Sequence, residues 1–236
     1  MENILNKLFL CISCLAIFSS DSKASEANIK LLYDITDPLV RKPLLSDILT
    51  LSKLDEDIWQ KLTVGIEAIT DLHSSDQWEI VLPEANHLFV SKRFRMIAID
   101  NFKRRIVQRL AYLDSLSKIR TLGHSIIYPK IVKEANRLSK INQNCYLLIY
   151  SDLMIKDLSA NFYNKDTFEM LKKQPLTIKK LLAQEAKLDD LKGVKIYFLF
   201  KAHSYEESNR YQIVLAFISD ILNEKSTTIQ TELPIK

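Results

Sequence analysis

Three polar clusters in the chain carry oxygen atoms at points where apolar runs end or helices begin. The first is Asp34-Ile35-Thr36-Asp37, the second is His124-Ser125, and the third is Ser151-Asp152. Carboxylate and hydroxyl oxygens on convergent loops suit a hard cation such as Mg²⁺ or Mn²⁺. The sequence therefore predicts a divalent-metal site formed by Asp34, Thr36, Ser125 and Asp152.

The same acids also have a purely structural interpretation. Aspartate is a favoured helix N-cap, and Pro38 after Asp37 would occupy the first helical position. In that case Asp37 caps a helix, and Asp34 and Asp152 hold the backbone of their loops. The residue types alone leave both interpretations open.

The elements that must position these clusters alternate between strand and helix. Apolar runs predict strands at 28–35, 62–70, 79–83, 145–150, 194–200 and 226–233. Helical spacing predicts helices from Asp37 to about 51 and at 93–116, 126–141, 167–173, 176–188 and 205–223. This alternation predicts an α/β fold of three layers, Rossmann-like, with a mostly parallel sheet and helices on both faces. We expect 29–35, 64–70, 145–150 and 194–200 to be its central strands and 79–83 to lie at an edge.

Composition excludes several classes of function. The 236 residues include only 3 Gly, too few for a glycine-rich phosphate loop. The net charge of +4 gives no reason to expect nucleic acid as a partner. The 4 His are scattered without zinc-site spacing, and no GxSxG elbow is present. Cys145 opens an apolar run and is interpreted as a core residue.

Residues 1–25 resemble an export signal. Lys7 precedes an apolar run from Leu8 to Phe18, which is too short to span a bilayer, and Ser22-Lys23-Ala24 offers a cleavage site. A buried N-terminal helix and a lipoprotein acylated at Cys14 are the alternatives. We therefore predict a signal peptide at 1–25, one domain at 26–236, and a periplasmic or extracellular location. No later segment is apolar enough to span a membrane after signal cleavage.

The element order and the polar clusters resemble a von Willebrand factor A-type domain. That family carries a metal-ion-dependent adhesion site with DxSxS after the first strand, a Thr on a middle loop and an Asp after a later strand. On this resemblance Asp34 matches the first Asp, Thr36 the first Ser, Ser125 the loop Thr and Asp152 the late Asp. Pro38 replaces the second Ser and offers no hydroxyl. The resemblance implies a protein-binding module whose bound cation accepts a carboxylate from a protein partner.

Two other functions compete with this interpretation. A metal-dependent hydrolase of phosphatase type could use Asp34 as a nucleophile, although Thr36 stands where that class usually has a second Asp. That class also needs a catalytic Lys and a later acidic pair; Lys156 and Asp157 could serve, but no pattern selects them. A domain without a working site is the other alternative.

The densest group of basic residues falls within the predicted helix that begins near Arg93. We interpret it as the solvated face of that helix, with an anionic partner as the alternative. Its members are Lys92, Arg93, Arg95, Lys103, Arg104 and Arg105.

Overall fold

The computed structural model describes residues 26–37, 39–70, 76–119, 125–141, 144–156 and 160–234. The predicted signal peptide at 1–25 lies outside the described residues, as do Pro38, His124 and Asp157. No helix within the described ranges is both long enough and apolar enough to cross a membrane.

Six strands form one sheet in the order β3-β2-β1-β4-β5-β6. Their bounds are β1 Glu26–Asp34, β2 Lys61–Ile69, β3 Gln77–Leu82, β4 Asn144–Tyr150, β5 Val194–Phe198 and β6 Thr228–Gln230. All neighbouring pairs are parallel except β2 with β3, which is antiparallel at one edge. The predicted α/β fold with a mostly parallel sheet and an edge strand near 79–83 is thus confirmed.

The strand order reverses between β1 and β4. The chain builds outward from β1 through β2 to β3, then returns to place β4 on the other side of β1. Tyr33 pairs with Tyr150, so the residues that follow, Asp34 and Ser151, lie side by side. In open α/β sheets this reversal opens a crevice at the carboxyl ends of the strands, where ligands bind.

Helices cover both faces of the sheet. They are α1 Leu45–Ser52, α2 Lys92–Ile119, α3 Ile127–Ser139, α4 Lys165–Lys173, α5 Pro175–Glu185 and α6 Tyr205–Asn223. Residues of α1 and α2 pack with one face of β1, including Leu31, and residues of α3 to α6 pack with the other face, including Leu32. Alternate side chains of β1 therefore enter two separate cores, as a sheet buried on both faces requires.

Two predicted element bounds are wrong. The helix expected from Asp37 begins only at Leu45, because the carboxylate of Asp37 accepts a hydrogen bond from the N–H of Leu39 and closes a local turn. Asp47 holds the start of α1 instead, since its carboxylate accepts from the N–H of Leu44. The last strand is limited to Thr228–Gln230 rather than 226–233.

Arg95 does not belong to the exposed basic face predicted for α2. Only 2% of it is exposed, and its guanidinium donates to the backbone carbonyls of Ile58, Gln60 and Pro83. Position 95 lies on the buried face of α2, next to the loops that precede β2 and follow β3. Arg93, two residues earlier, is exposed as predicted.

A buried ion-pair network lies between β1, β2 and α3. Nζ of Lys30 is 2.7 Å from Glu67 and 3.4 Å from Glu134, and all three side chains are at least nine-tenths buried. A Cβ at Gly65 would lie 2.8 Å from Cδ of Lys30, so glycine at that position leaves room for the lysine chain. Burial raises the pKa of Glu67, but Lys30 and the neighbouring lysines outweigh burial and lower that pKa overall.

Candidate functional site

The carboxylate of Asp34 lies at the carboxyl end of β1, and its two oxygens accept four hydrogen bonds. Oδ1 accepts from the backbone N–H of Thr36 at 3.0 Å and from its hydroxyl at 2.6 Å. Oδ2 accepts from the hydroxyls of Ser151 at 2.9 Å and Ser125 at 3.2 Å. Asp34 is only 1% exposed. Three hydroxyl groups from three separate segments thus surround one buried carboxylate.

Asp152 lies beside this cluster but does not hydrogen-bond to Asp34. Its Oδ1 accepts from the N–H of Met154, and its Oδ2 accepts from the hydroxyl of Tyr163, at 2.8 Å. Leu153, which lies between Asp152 and Met154 in the chain, has a positive φ of 60°, an uncommon conformation for a bulky residue. Backbone strain of this kind is found preferentially at functional sites.

The structure therefore brings together Asp34, Thr36 and Ser125 by direct hydrogen bonds, with Asp152 close enough for its charge and that of Asp34 to interact. Ser125 reaches the site because its backbone pairs with Lys156 in an isolated bridge next to the β4 loop. These placements agree with the predicted convergence, and metal binding itself stays a prediction. No group of three or more His, Cys, Asp or Glu side chains suited to a metal occurs among the described residues, so hydroxyl oxygens would have to supply part of the shell.

Burial is the largest influence on the pKa of both acids. It raises the pKa of Asp34, although the hydrogen bonds from Thr36, Ser151 and Ser125 oppose the rise. Burial also raises the pKa of Asp152, to about 7. The hydrogen bond from the N–H of Met154 lowers this pKa, and the negative charge of Asp34 raises it further. Two carboxylates in one buried site repel each other, and a cation would remove that repulsion.

A pH dependence follows for the protein without divalent ions. A carboxyl group whose pKa is raised on folding stabilises the fold at low pH, and that stabilisation is lost as pH rises through the folded-state value. In EDTA we expect the free energy of unfolding to fall between about pH 4 and pH 7, by at most about 4 kcal/mol for Asp152. Urea titrations across this range measure how steeply the free energy of unfolding falls with pH. We expect Asp152→Asn to reduce this slope, and Asp100→Asn, at an exposed position, to leave it as in wild type. Equal slopes in all three proteins would contradict the raised pKa of Asp152.

A pocket of about 430 Å³ opens beside the cluster. Thr36 and Asp152 line it, together with side chains that the sequence patterns did not single out: Tyr163, Glu206, Glu207, Arg210 and Tyr211. Glu206 and Glu207 lie in the first turn of α6, which follows β5. Asp34 and Asp152 were chosen as acids at the ends of predicted strands, and the same criterion points to these two glutamates. Tyr163 comes from the irregular segment before α4, where no pattern predicts a position.

The environment of Asp34 does not favour the hydrolase alternative. A nucleophilic carboxylate needs an oxygen that a substrate can reach. Both oxygens of Asp34 are occupied by hydroxyl and N–H donors, and the side chain does not line the pocket. Lys156 is used through its backbone, in the pairing with Ser125.

No protein-family model matches the chain, and no curated protein matches it. Among solved structures, the chain is similar to the D319A mutant of the PilB minor pilin from Streptococcus sanguinis, with a TM-score of 0.45 and 11% sequence identity. The alignment covers 92% of this chain and 59% of that chain. The chain therefore spans about three fifths of the pilin's length, and a similarity of this size identifies no function.

Proposed function

We propose that the chain is an exported von Willebrand A-like module that binds a protein partner through a weak Mg²⁺ or Mn²⁺ site. The observation that carries the proposal is the buried Asp34 carboxylate, surrounded by hydroxyls at the reversal of strand order. None of the ion pairs among the described residues involves Asp34 or Asp152. Buried charges are normally paired or bound to metal, and a cation would balance the charge of carboxylates that have only hydrogen-bond partners here.

The donor set fits a hard divalent cation. A hydroxyl that donates its proton to Asp34 keeps lone pairs, so Thr36 and Ser125 can each offer oxygen to a cation while holding the carboxylate. Asp152 supplies the second negative charge. Asp34, Thr36, Ser125 and Asp152 would hold the ion, with Asp34 acting through its charge and through the hydroxyls that it orients. An acidic side chain of the partner would complete the shell, since hard cations take six or more oxygen ligands.

The proposed location follows from the sequence at 1–25. A module that acts outside the cytoplasm would meet its partner at a cell surface or in the periplasm. Sequencing the N-terminus of the mature protein from fractionated cells tests this part: an intact Met1 on cytoplasmic protein contradicts it.

Calorimetric titration tests the metal site. We expect wild-type protein to take up one Mg²⁺ or Mn²⁺ at millimolar levels, and Asp34→Asn and Asp152→Asn to take up none. Each replacement keeps the size of the side chain and removes one charge from the shell. Asp100→Asn, on the exposed face of α2, should bind as wild type does. Absence of uptake by wild type at these concentrations would overturn the metal site.

A pull-down from envelope material, with and without chelator, then tests the partner. A protein captured by wild type in Mg²⁺, and lost both in EDTA and with Asp152→Asn, supports binding through the cation. Capture that is unchanged by chelator and by the variant would place the function on another surface.

A further inference from the structure

The pocket beside the Asp34 cluster has an excess of negative charge. Among the described residues, four carboxylates line it, from Asp37, Asp152, Glu206 and Glu207, against one guanidinium, that of Arg210. Even with Asp152 protonated or bound to a cation, three carboxylates remain for one positive charge. An excess of one sign in a concave site favours a ligand of the opposite sign.

Among the described residues that line the pocket, the positive group is the guanidinium of Arg210, which is held on one side while its buried Nε has no hydrogen-bond partner. Arg210 donates to the backbone carbonyl of Phe162, and its guanidinium lies 4.7 Å from the centre of the Phe168 ring. Both contacts hold the charge of Arg210 against α4 and the segment before it. Arg210 lies one turn after Glu206 and Glu207 on α6, and its single charge cannot balance both of these acids and Asp37.

A buried hydroxyl in the same pocket lacks a partner. Tyr211 lines the pocket and is 6% exposed, yet its hydroxyl has no hydrogen-bond partner among the described residues. Nearly all buried polar side-chain atoms in native structures are paired, and each exception requires an explanation. A phenol oxygen can accept a hydrogen bond from an ammonium or guanidinium group. A ligand that carries such a group would satisfy the hydroxyl of Tyr211.

The walls of the pocket suit a long side chain. Leu39 and Met154 contribute apolar surface, and the ring of Tyr163 stands beside the acids. Lysine and arginine place a charged group at the end of an apolar stem, which packs on such surface while the charge reaches polar groups. The volume of about 430 Å³ is within the range of small-ligand sites.

We propose that this pocket receives a lysine or arginine side chain of the partner protein, held by Glu206, Glu207 and the hydroxyl of Tyr211. The inference rests on the proposed function in one respect, that the partner binds at this edge of the sheet. It names the chemistry of that partner: an acidic residue for the cation and a basic residue for the pocket. The charge of the pocket does not itself require a metal ion.

The experiment compares two blocked amino acids as probes, N-acetyl-lysine amide and its uncharged analogue N-acetyl-norleucine amide. Binding is followed in EDTA by amide chemical shifts of residues around the pocket. We expect the lysine probe to bind at least about tenfold more tightly, the size of a charge-assisted hydrogen bond. Tyr211→Phe removes only the hydroxyl and Glu206→Gln removes only a charge, so each should weaken the lysine probe several-fold and leave the norleucine probe unchanged. Glu84→Gln, an exposed glutamate at the opposite edge of the sheet, is the matched control.

The outcomes separate this proposal from the metal site. Equal binding of the two probes would overturn the basic-residue pocket even if calorimetry finds Mg²⁺ uptake. Preferential binding of the lysine probe in EDTA supports the pocket even if wild type takes up no metal. Tighter binding of 1,5-diaminopentane than of the lysine probe would assign the pocket to a small amine and overturn its assignment to a partner side chain.

Discussion

Arg95→Met should lower the free energy of unfolding by about 3–5 kcal/mol, whereas Arg93→Met should change it by less than about 0.5 kcal/mol. The two arginines are two positions apart on α2. Only Arg95 is buried, and its guanidinium satisfies three carbonyl groups, with distances of 2.7 Å to Pro83 and to Gln60. The buried carbonyl of Gln60 costs about 1–3 kcal/mol when it loses its donor, and loss of the part-buried hydrogen bonds to Ile58 and Pro83 adds to that cost.

Methionine is the appropriate replacement because it keeps much of the apolar stem and removes the donors. Urea unfolding of both variants, with wild type as reference, measures the difference. A loss for Arg95→Met no larger than that for Arg93→Met would mean that water replaces the guanidinium, and that the loops around β2 and β3 do not depend on it. The carbonyls that Arg95 contacts lie at the amino end of β2, whereas Asp34 lies at the carboxyl end of the parallel strand β1. Mg²⁺ uptake at moderate temperature should therefore survive in a folded fraction of the variant.

Arg95 also shows what the sequence pattern could and could not predict. The basic residues at 92–105 were grouped by their density along the chain, which ignores the direction in which each side chain points. Position 95 lies on the helical face of Ile99, Phe102 and Ile106, all buried. A charged residue on an apolar face was therefore visible in the helical periodicity. The carbonyls that Arg95 contacts could not be predicted, because they belong to loops whose positions no local sequence pattern indicates.

The central strands β1, β2, β4 and β5 were predictable because each is a largely apolar run, as is typical of parallel strands buried on both faces. The central position of 145–150 followed from the same argument and is confirmed by the pairing of β4 with β1 and β5. The helix after β1 was placed too early. An Asp-Pro pair at 37–38 fits both a helix start and a turn, and the contact of Asp37 with the N–H of Leu39 selects the turn.

The site was predictable in part for a topological reason. Parallel strands end at one edge, so Asp34 after β1 and Asp152 after β4 had to lie close once those strands were neighbours. The sequence could not show that Ser151 faces Asp34 while Asp152 turns toward Tyr163. That division depends on the positive φ at Leu153, which no residue preference predicts for leucine.

The buried network around Lys30 gives the second large effect. Lys30→Met should lower the free energy of unfolding by about 3–5 kcal/mol, because it leaves the buried carboxylates of Glu67 and Glu134 without their shared lysine. Lys172→Met is the matched control, since its pair with Glu169 is exposed to solvent and contributes little to stability. Thermal or urea unfolding at pH 7 measures both.

The pH dependence distinguishes a lost charge from lost packing. In wild type the lowered pKa of Glu67 stabilises the fold above the ordinary glutamate range, and this contribution is lost as pH falls. Without Lys30, burial and repulsion from Glu134 should raise the pKa of Glu67, so the sign reverses and the variant becomes less stable as pH rises. Adding Glu67→Gln to Lys30→Met should remove this slope and restore part of the stability at pH 7. If the single variant keeps the wild-type pH profile, Lys130 and Lys133 suffice to hold the carboxylates charged, and the loss at Lys30 is one of packing alone.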